Sequence, residues 1–125
     1  MKPDKIIGGT LAWTAVLHTV VGLFLYWEPI KDMAKVGLFN SVVPHSDRGS
    51  AFWFFIFGAM LWTFSRVVGW FARAGQRVPT FLGVHLMALC LVGVFFVPLS
   101  GFWLGIPQAA VLLRRNAGGR LLNSP

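Results

Sequence analysis

Apolar residues along this chain come in long unbroken runs separated by short polar stretches, with neither the strict alternation of a half-buried strand nor the mixed faces of a water-soluble helix. The first run covers residues 6–27, which at helical rise would span roughly 33 Å, a full bilayer crossing. A second covers about 50–71 and a third about 79–97, where Pro79 suits a first helical turn because the amide it lacks would be unpaired there anyway. The fourth, about 100–113, would reach only roughly 21 Å as a helix. It must thin the bilayer, extend into its flanks or lie partly in the interface. The pattern predicts an all-α polytopic membrane protein, one domain over residues 1–125, with four transmembrane helices in a compact bundle.

Residues 28–49 form the one long connection. Within it Ile30, Met33, Ala34 and Leu38 recur at spacings of three and four with Lys31, Asp32 and Lys35 between them, which predicts a short amphipathic surface helix begun by Pro29 and weakened by Gly37. Ser46 or Asp47 is suited to cap the following helix, since their side-chain oxygens accept first-turn amides.

Composition agrees with lipid as the main solvent: 56% of residues are hydrophobic and 12% charged, about half the charge of an average soluble domain. The net charge of +7 brings nucleic acid to mind, but Lys and Arg flank apolar runs and build no basic face or RNA-binding motif. They instead set orientation. With four spans and the N-terminus inside, Lys2, Lys5, Arg73, Arg77, Arg114, Arg115 and Arg120 are cytoplasmic, against Lys31, Lys35 and Arg48 outside. If the fourth run did not cross, the last three would move outside and reverse the bias. Trp27, Trp53, Trp70 and Trp103 fall near the expected span ends, at headgroup level, whereas Trp13 lies inside the first span. The first run is too long for a signal peptide and lacks a small-x-small cleavage site, so it is expected to be retained.

Packing follows from small residues, because helices in lipid depend on close backbone approach. Gly8, Ala12, Ala15, Thr19 and Gly22 make one stripe on the first helix; Gly58, Ser65 and Gly69 make another, and Gly83, Cys90 and Gly93 a third. Cys90 is the single cysteine, so no internal disulfide forms and a packed thiol is expected.

Candidate chemistry rests on polar groups at membrane depth, where they are costly unless paired, hydrated or snorkelling. Counted from the cytoplasmic end, Arg66 and Gln108 lie roughly 7–8 Å deep, His85 roughly 9 Å and Thr10 roughly 6 Å, a single polar layer; His18 lies roughly 18 Å deep, with Thr14 one turn below it. This predicts a cytoplasm-facing ligand pocket of Arg66, His85, Gln108 and Thr10, with His18 and Thr14 at its floor. The plainer reading is that Arg66 snorkels, the threonines and Gln108 bond backbone carbonyls, and each His is a satisfied core residue. His45 and Asp47 supply only two metal ligands where a site needs about three or four, so no metal and no cofactor is expected.

Three segments carry a resemblance: His18-Thr19-Val20-Val21-Gly22, the aromatic run from Phe52 to Gly58, and Pro98-Leu99-Ser100-Gly101-Phe102-Trp103-Leu104-Gly105-Ile106-Pro107. Together they are similar to an uncharacterised family of small bacterial four-helix integral membrane proteins, with the likeness running over nearly the whole chain. The resemblance implies a bacterial inner-membrane location and assigns no activity. Both termini are expected in the cytoplasm from the charge bias.

The absence of Asp or Glu inside any run disfavours proton-coupled cation export. The depth difference of about 9 Å between His18 and His85 disfavours bis-His haem within one chain. Two classes remain. One is a binding or accessory subunit whose partners are the lipid bilayer, an apolar small molecule, further copies of itself or a larger membrane complex, with no nucleic acid. The other is a membrane-embedded acid/base enzyme, an isomerase or cyclase of an apolar substrate, using His18 or His85 with Arg66 steadying negative charge.

Overall fold

The computed structural model describes the backbone of residues 3–121 and the side chains of residues 6–114. It is all-α among the described residues, with five helices, four apolar ones and a short one in the long connection: α1 (Pro3–Leu25), α2 (Trp27–Lys35), α3 (Ser46–Arg73), α4 (Thr80–Phe96) and α5 (Phe102–Leu121). Lys2 lies outside the described residues, as do the side chains of Lys5, Arg115 and Arg120.

The extra helix is the amphipathic element expected in the long connection. α1 stops at Leu25 instead of 27 because Pro29 has no amide to give the Leu25 carbonyl, and its ring would collide with that carbonyl in a straight helix. Tyr26 takes φ −113° and ψ 24° at the break, and the chain re-enters helix at Trp27, so Pro29 sits inside the first turn of α2 rather than opening it. Glu28 pairs with Lys31 at 2.7 Å and Asp32 with Lys35 at 3.0 Å, all on the exposed side of α2. None of its residues is fully buried. Gly37 ends the element with φ +82°, a backbone state that a β-carbon would strain.

α3 begins four residues before the apolar run does, taking in the charged turn from Ser46. The carbonyl of His45 accepts the Gly49 amide at 3.0 Å, which makes His45 the N-cap residue and puts Ser46 and Asp47 one and two places inside the helix. Asp47 there still complements the positive helix end. At the other terminus the Gly75 amide bonds Ala72 and the Gln76 amide bonds Phe71, at 3.4 and 3.0 Å, with Gly75 at φ +69°. This is a Schellman stop.

Pro79 precedes α4 as its cap residue, with φ −56° and ψ 136°, instead of occupying the first turn. α5 starts at Phe102, after a turn in which the Gly101 carbonyl accepts the Leu104 amide at 3.0 Å, and continues past Arg114 to Leu121. Hydropathy ends near Leu113, and the helix runs on although Asn116, Gly118 and Gly119 are poor helix formers. Two helices are long and apolar enough to cross a membrane, Ile6–Leu25 and Ser46–Arg73; Thr80–Phe96 and Phe102–Arg114 are apolar but shorter.

The chain forms two compact units. One comprises the start of α1 through Leu11 together with the chain from Phe64 onward. Its core joins Ile7 and Leu11 of α1, Val68 of α3, Val78 from the turn, Leu86 and Cys90 of α4, and Ala109 and Leu112 of α5. Small residues set the spacing here. A β-carbon at Gly8 would stand 3.1 Å from the Gly69 α-carbon, and one at Gly83 would stand 3.2 Å from the Leu112 β-carbon. The antiparallel pairing of α4 with α5 is closest where Gly105 meets the Cys90 sulfur and Gly93 meets the Phe102 ring.

The second unit, Ala12–Thr63, pairs the rest of α1 with the first part of α3. Ala15 and Ala51 are buried, and Gly22 lies against Phe54, where a β-carbon would come within 2.7 Å of the ring. The connection after α2 is tied down by Arg48, whose Nη1 donates to the Ser41 carbonyl at 3.0 Å, and by the Ser41 hydroxyl, which donates to the Leu38 carbonyl at 3.0 Å.

Candidate functional site

Helical geometry brings His18 of α1 opposite Phe54 and Gly58 of α3. The ring of His18 lies flat on that of Phe54, with centroids 3.9 Å apart and planes 8° off parallel. Its Nε2 is 3.0 Å from the Phe54 backbone oxygen. A carbonyl can only accept, so Nε2 carries the proton and Nδ1 holds the lone pair in the neutral ring.

The same carbonyl is the helical acceptor for the amide four residues on, that of Gly58. Its second lone pair is reachable only because Gly58 has no side chain: a β-carbon there would stand 3.1 Å from His18 Cδ2 and 3.2 Å from Thr19 Oγ1. Phe57 closes on His18 from a second side at 5.6 Å, tilted 57°. His18 is therefore half-buried and held by an aromatic pair, a backbone oxygen and a glycine notch. Thr14, one turn earlier on α1, is half-buried as well.

In the other unit the remaining candidates sit differently. His85 is exposed on α4, and its Nδ1 donates to the Phe81 carbonyl of its own helix at 2.7 Å, with Phe81 edge-on at 6.0 Å. Here the lone pair is on the outward Nε2. Thr10 is exposed and its hydroxyl donates to the Ile7 carbonyl at 2.9 Å. Arg66 is exposed and Gln108 half-buried. In the unit that holds His18, Thr19 and Thr63 donate to carbonyls four residues back, Ala15 and Ala59, at 3.0 Å each.

The chemistry available is that of two imidazoles whose donor nitrogens are already occupied by backbone oxygens. The chain has four acidic residues, Asp4, Glu28, Asp32 and Asp47, and none lies within the apolar runs where the histidines are. Among the described residues no three of His, Cys, Asp and Glu gather as a metal site would need. Cys90 is a buried thiol within the core of its unit.

Sequence reasoning missed Phe54 and Gly58 as partners of His18. The readable signal was a glycine four residues after an aromatic on an apolar helix, which exposes one backbone carbonyl. It also missed a cleft of about 450 Å³ at the junction of α1 and α2, lined by Leu23, Phe24 and Trp27.

Comparison with curated proteins and with solved structures finds no match. Residues 2–119 match a family of unknown function, DUF6463. That match spans nearly the whole chain, including all three histidines, α1 to α4 and α5 up to its last two residues, so the protein belongs to the DUF6463 family of unknown function.

Proposed function

We propose that this chain is a bacterial inner-membrane protein of four crossings, a four-helix bundle with both termini in the cytoplasm, that acts as a binding or accessory subunit rather than as a catalyst. One observation carries the reading: the apolar helices turn most of their surface outward. Only 28% of the apolar stretch of α1 and 22% of that of α3 is buried within the chain, whereas a core helix of a water-soluble domain is mostly buried. Phe24, Trp13, Phe95 and Phe96 are 82%, 74%, 78% and 75% exposed. Exposed apolar surface of this kind matches hydrocarbon better than water. α4, with 17 residues, reaches roughly 26 Å at helical rise, a few ångströms short of a bilayer core, a mismatch that local thinning accommodates.

The small-residue stripes are used within the chain, at Gly8, Gly22, Gly58, Gly83 and Gly93. Lipid, an apolar ligand or a larger membrane partner therefore meets the aromatic and aliphatic outer faces. An embedded acid/base enzyme is the weaker reading, because the donor nitrogens of His18 and His85 are engaged by carbonyls and, among the described residues, no carboxylate pairs with either.

Cysteine accessibility tests the topology. In a Cys90→Ala background, Asn40→Cys is expected to react with an impermeant maleimide in intact cells, and Ala74→Cys only after permeabilisation. Reaction of both from the same side would reject the four-span arrangement. Native mass spectrometry tests the binding role: a partner or second copy retained equally by wild type, His18→Ala and Arg66→Ala supports an accessory subunit. Turnover of an apolar metabolite lost in His18→Ala would overturn it.

A further inference from the structure

The elbow between α1 and α2 has an apolar cleft and, next along α2, an exposed charge pair. Leu23 and Phe24 end the first helix, Trp27 opens the second, and the three line a space of about 450 Å³, within the roughly 300–1,000 Å³ common for small-molecule sites. Phe24 is 82% and Trp27 55% exposed, so the cleft opens outward. Lys31 stands one turn beyond Trp27 on the same face of α2 and pairs with Glu28, the residue next to Trp27, at 2.7 Å. The Glu28 and Lys31 side chains keep 72% and 40% of their surface. An exposed pair of this kind contributes little by itself and exchanges readily with other charges.

We propose that this elbow is a seat for one zwitterionic aminophospholipid, with an acyl chain along Leu23 and Phe24, the Trp27 ring at the glycerol level, the lipid phosphate on Lys31 and its ammonium on Glu28. The inference rests on the membrane reading above and names the ligand for it. Charge complementarity selects this class. An anionic lipid would meet Lys31 but also the Glu28 carboxylate, while a zwitterionic headgroup offers a partner to each. Asp32 and Lys35 repeat the same paired arrangement one turn on, at 3.0 Å, so the surface of α2 presents balanced charge and not a basic patch. Indole and ammonium groups are both at home at the membrane interface.

The test is native mass spectrometry of the full chain released from nanodiscs of equal parts phosphatidylethanolamine and phosphatidylglycerol. Wild type is expected to retain one phosphatidylethanolamine with about a fivefold preference or more. Phe24→Ala is expected to lower retention several-fold, and Glu28→Lys to reverse the preference toward phosphatidylglycerol. Equal retention of both lipids by wild type, or unchanged retention in Phe24→Ala, overturns the proposal. Alkaline extraction of the same membranes separates this failure from that of the membrane reading: a chain that stays in the pellet without lipid preference loses only the seat, whereas a chain that washes off loses both.

Discussion

His18 Nε2 donates to the Phe54 backbone carbonyl at 3.0 Å while its ring stacks on the Phe54 side chain at 3.9 Å, so one residue of α3 holds both the edge and the face of the imidazole. Each contact alone is ordinary. Their combination depends on Gly58, whose missing β-carbon opens the carbonyl to the ring.

Replacing Gly58 by Ala is therefore expected to push His18 off the carbonyl and lower stability by about 1–2 kcal/mol. His18→Ala loses the bond and the stacking at once, for about 1–3 kcal/mol. Thermal unfolding in bicelles measures both. The decisive quantity is the double variant: with the imidazole gone, adding Gly58→Ala costs much less than it does in wild type. Simple additivity would show that the notch serves something other than His18.

Gly8 and Gly9 make a matched pair of opposite sign. A β-carbon at Gly8 meets the Gly69 backbone at 3.1 Å, and backbone cannot swing away; at Gly9 nothing lies within 4 Å. Gly8→Ala is expected to destabilise by about 1–3 kcal/mol, and Gly9→Ala to be neutral or to stabilise by up to about 1 kcal/mol through helix propensity. Equal melting temperatures for the two variants would contradict the close α1–α3 approach at Gly8.

At the α4–α5 contact, a methyl group on Gly105 would run into the Cys90 sulfur. Gly105→Ala is expected to cost about 1–3 kcal/mol, and Cys90→Ala in the same chain to recover much of it by removing the obstructing sulfur. A Gly105→Ala variant as stable as wild type, or a loss that Cys90→Ala does not relieve, would place the strain elsewhere.

Asp32 supplies a pH prediction. The hydrogen bond from Lys35, then the Lys35 charge, hold its carboxyl below the ordinary 3.8. A carboxyl whose folded pKa is depressed contributes stability above its unfolded value, and that contribution is lost as pH falls through the folded value. Carbon-detected NMR titration is expected to find Asp32 titrating below 3.8 in wild type and moving up in Lys35→Ala. No change in that variant would mean that the pair does not persist in solution.

The runs of apolar residues were enough to find α1, α3, α4 and α5, since continuous apolar stretches longer than a strand announce a helix by length alone. Their ends were harder. Pro29 fixes the stop at Leu25 through a carbonyl four residues upstream, and α5 runs past Arg114 after hydropathy has ended, through two glycines that propensity would count against it. Of the stripe on α1, Gly8, Ala15 and Gly22 are buried, whereas Ala12 is half-buried and Thr19 exposed. The candidate polar layer was drawn from depth along each helix alone. Depth does not fix which side of a helix a residue faces: Arg66, His85 and Thr10 are exposed, and Gln108 is half-buried.

By itself the sequence determined an all-helical chain, the positions of its polar groups along each axis, and the glycines that let helices approach. Those follow from local composition and rise per residue. Only the tertiary structure decided that His18 bonds the Phe54 carbonyl and that the α1–α2 elbow leaves a cleft lined by Leu23, Phe24 and Trp27. A backbone carbonyl is present at every residue and carries no letter in the sequence. Which carbonyl is open depends on the helix rotation and neighbouring side chains that packing sets.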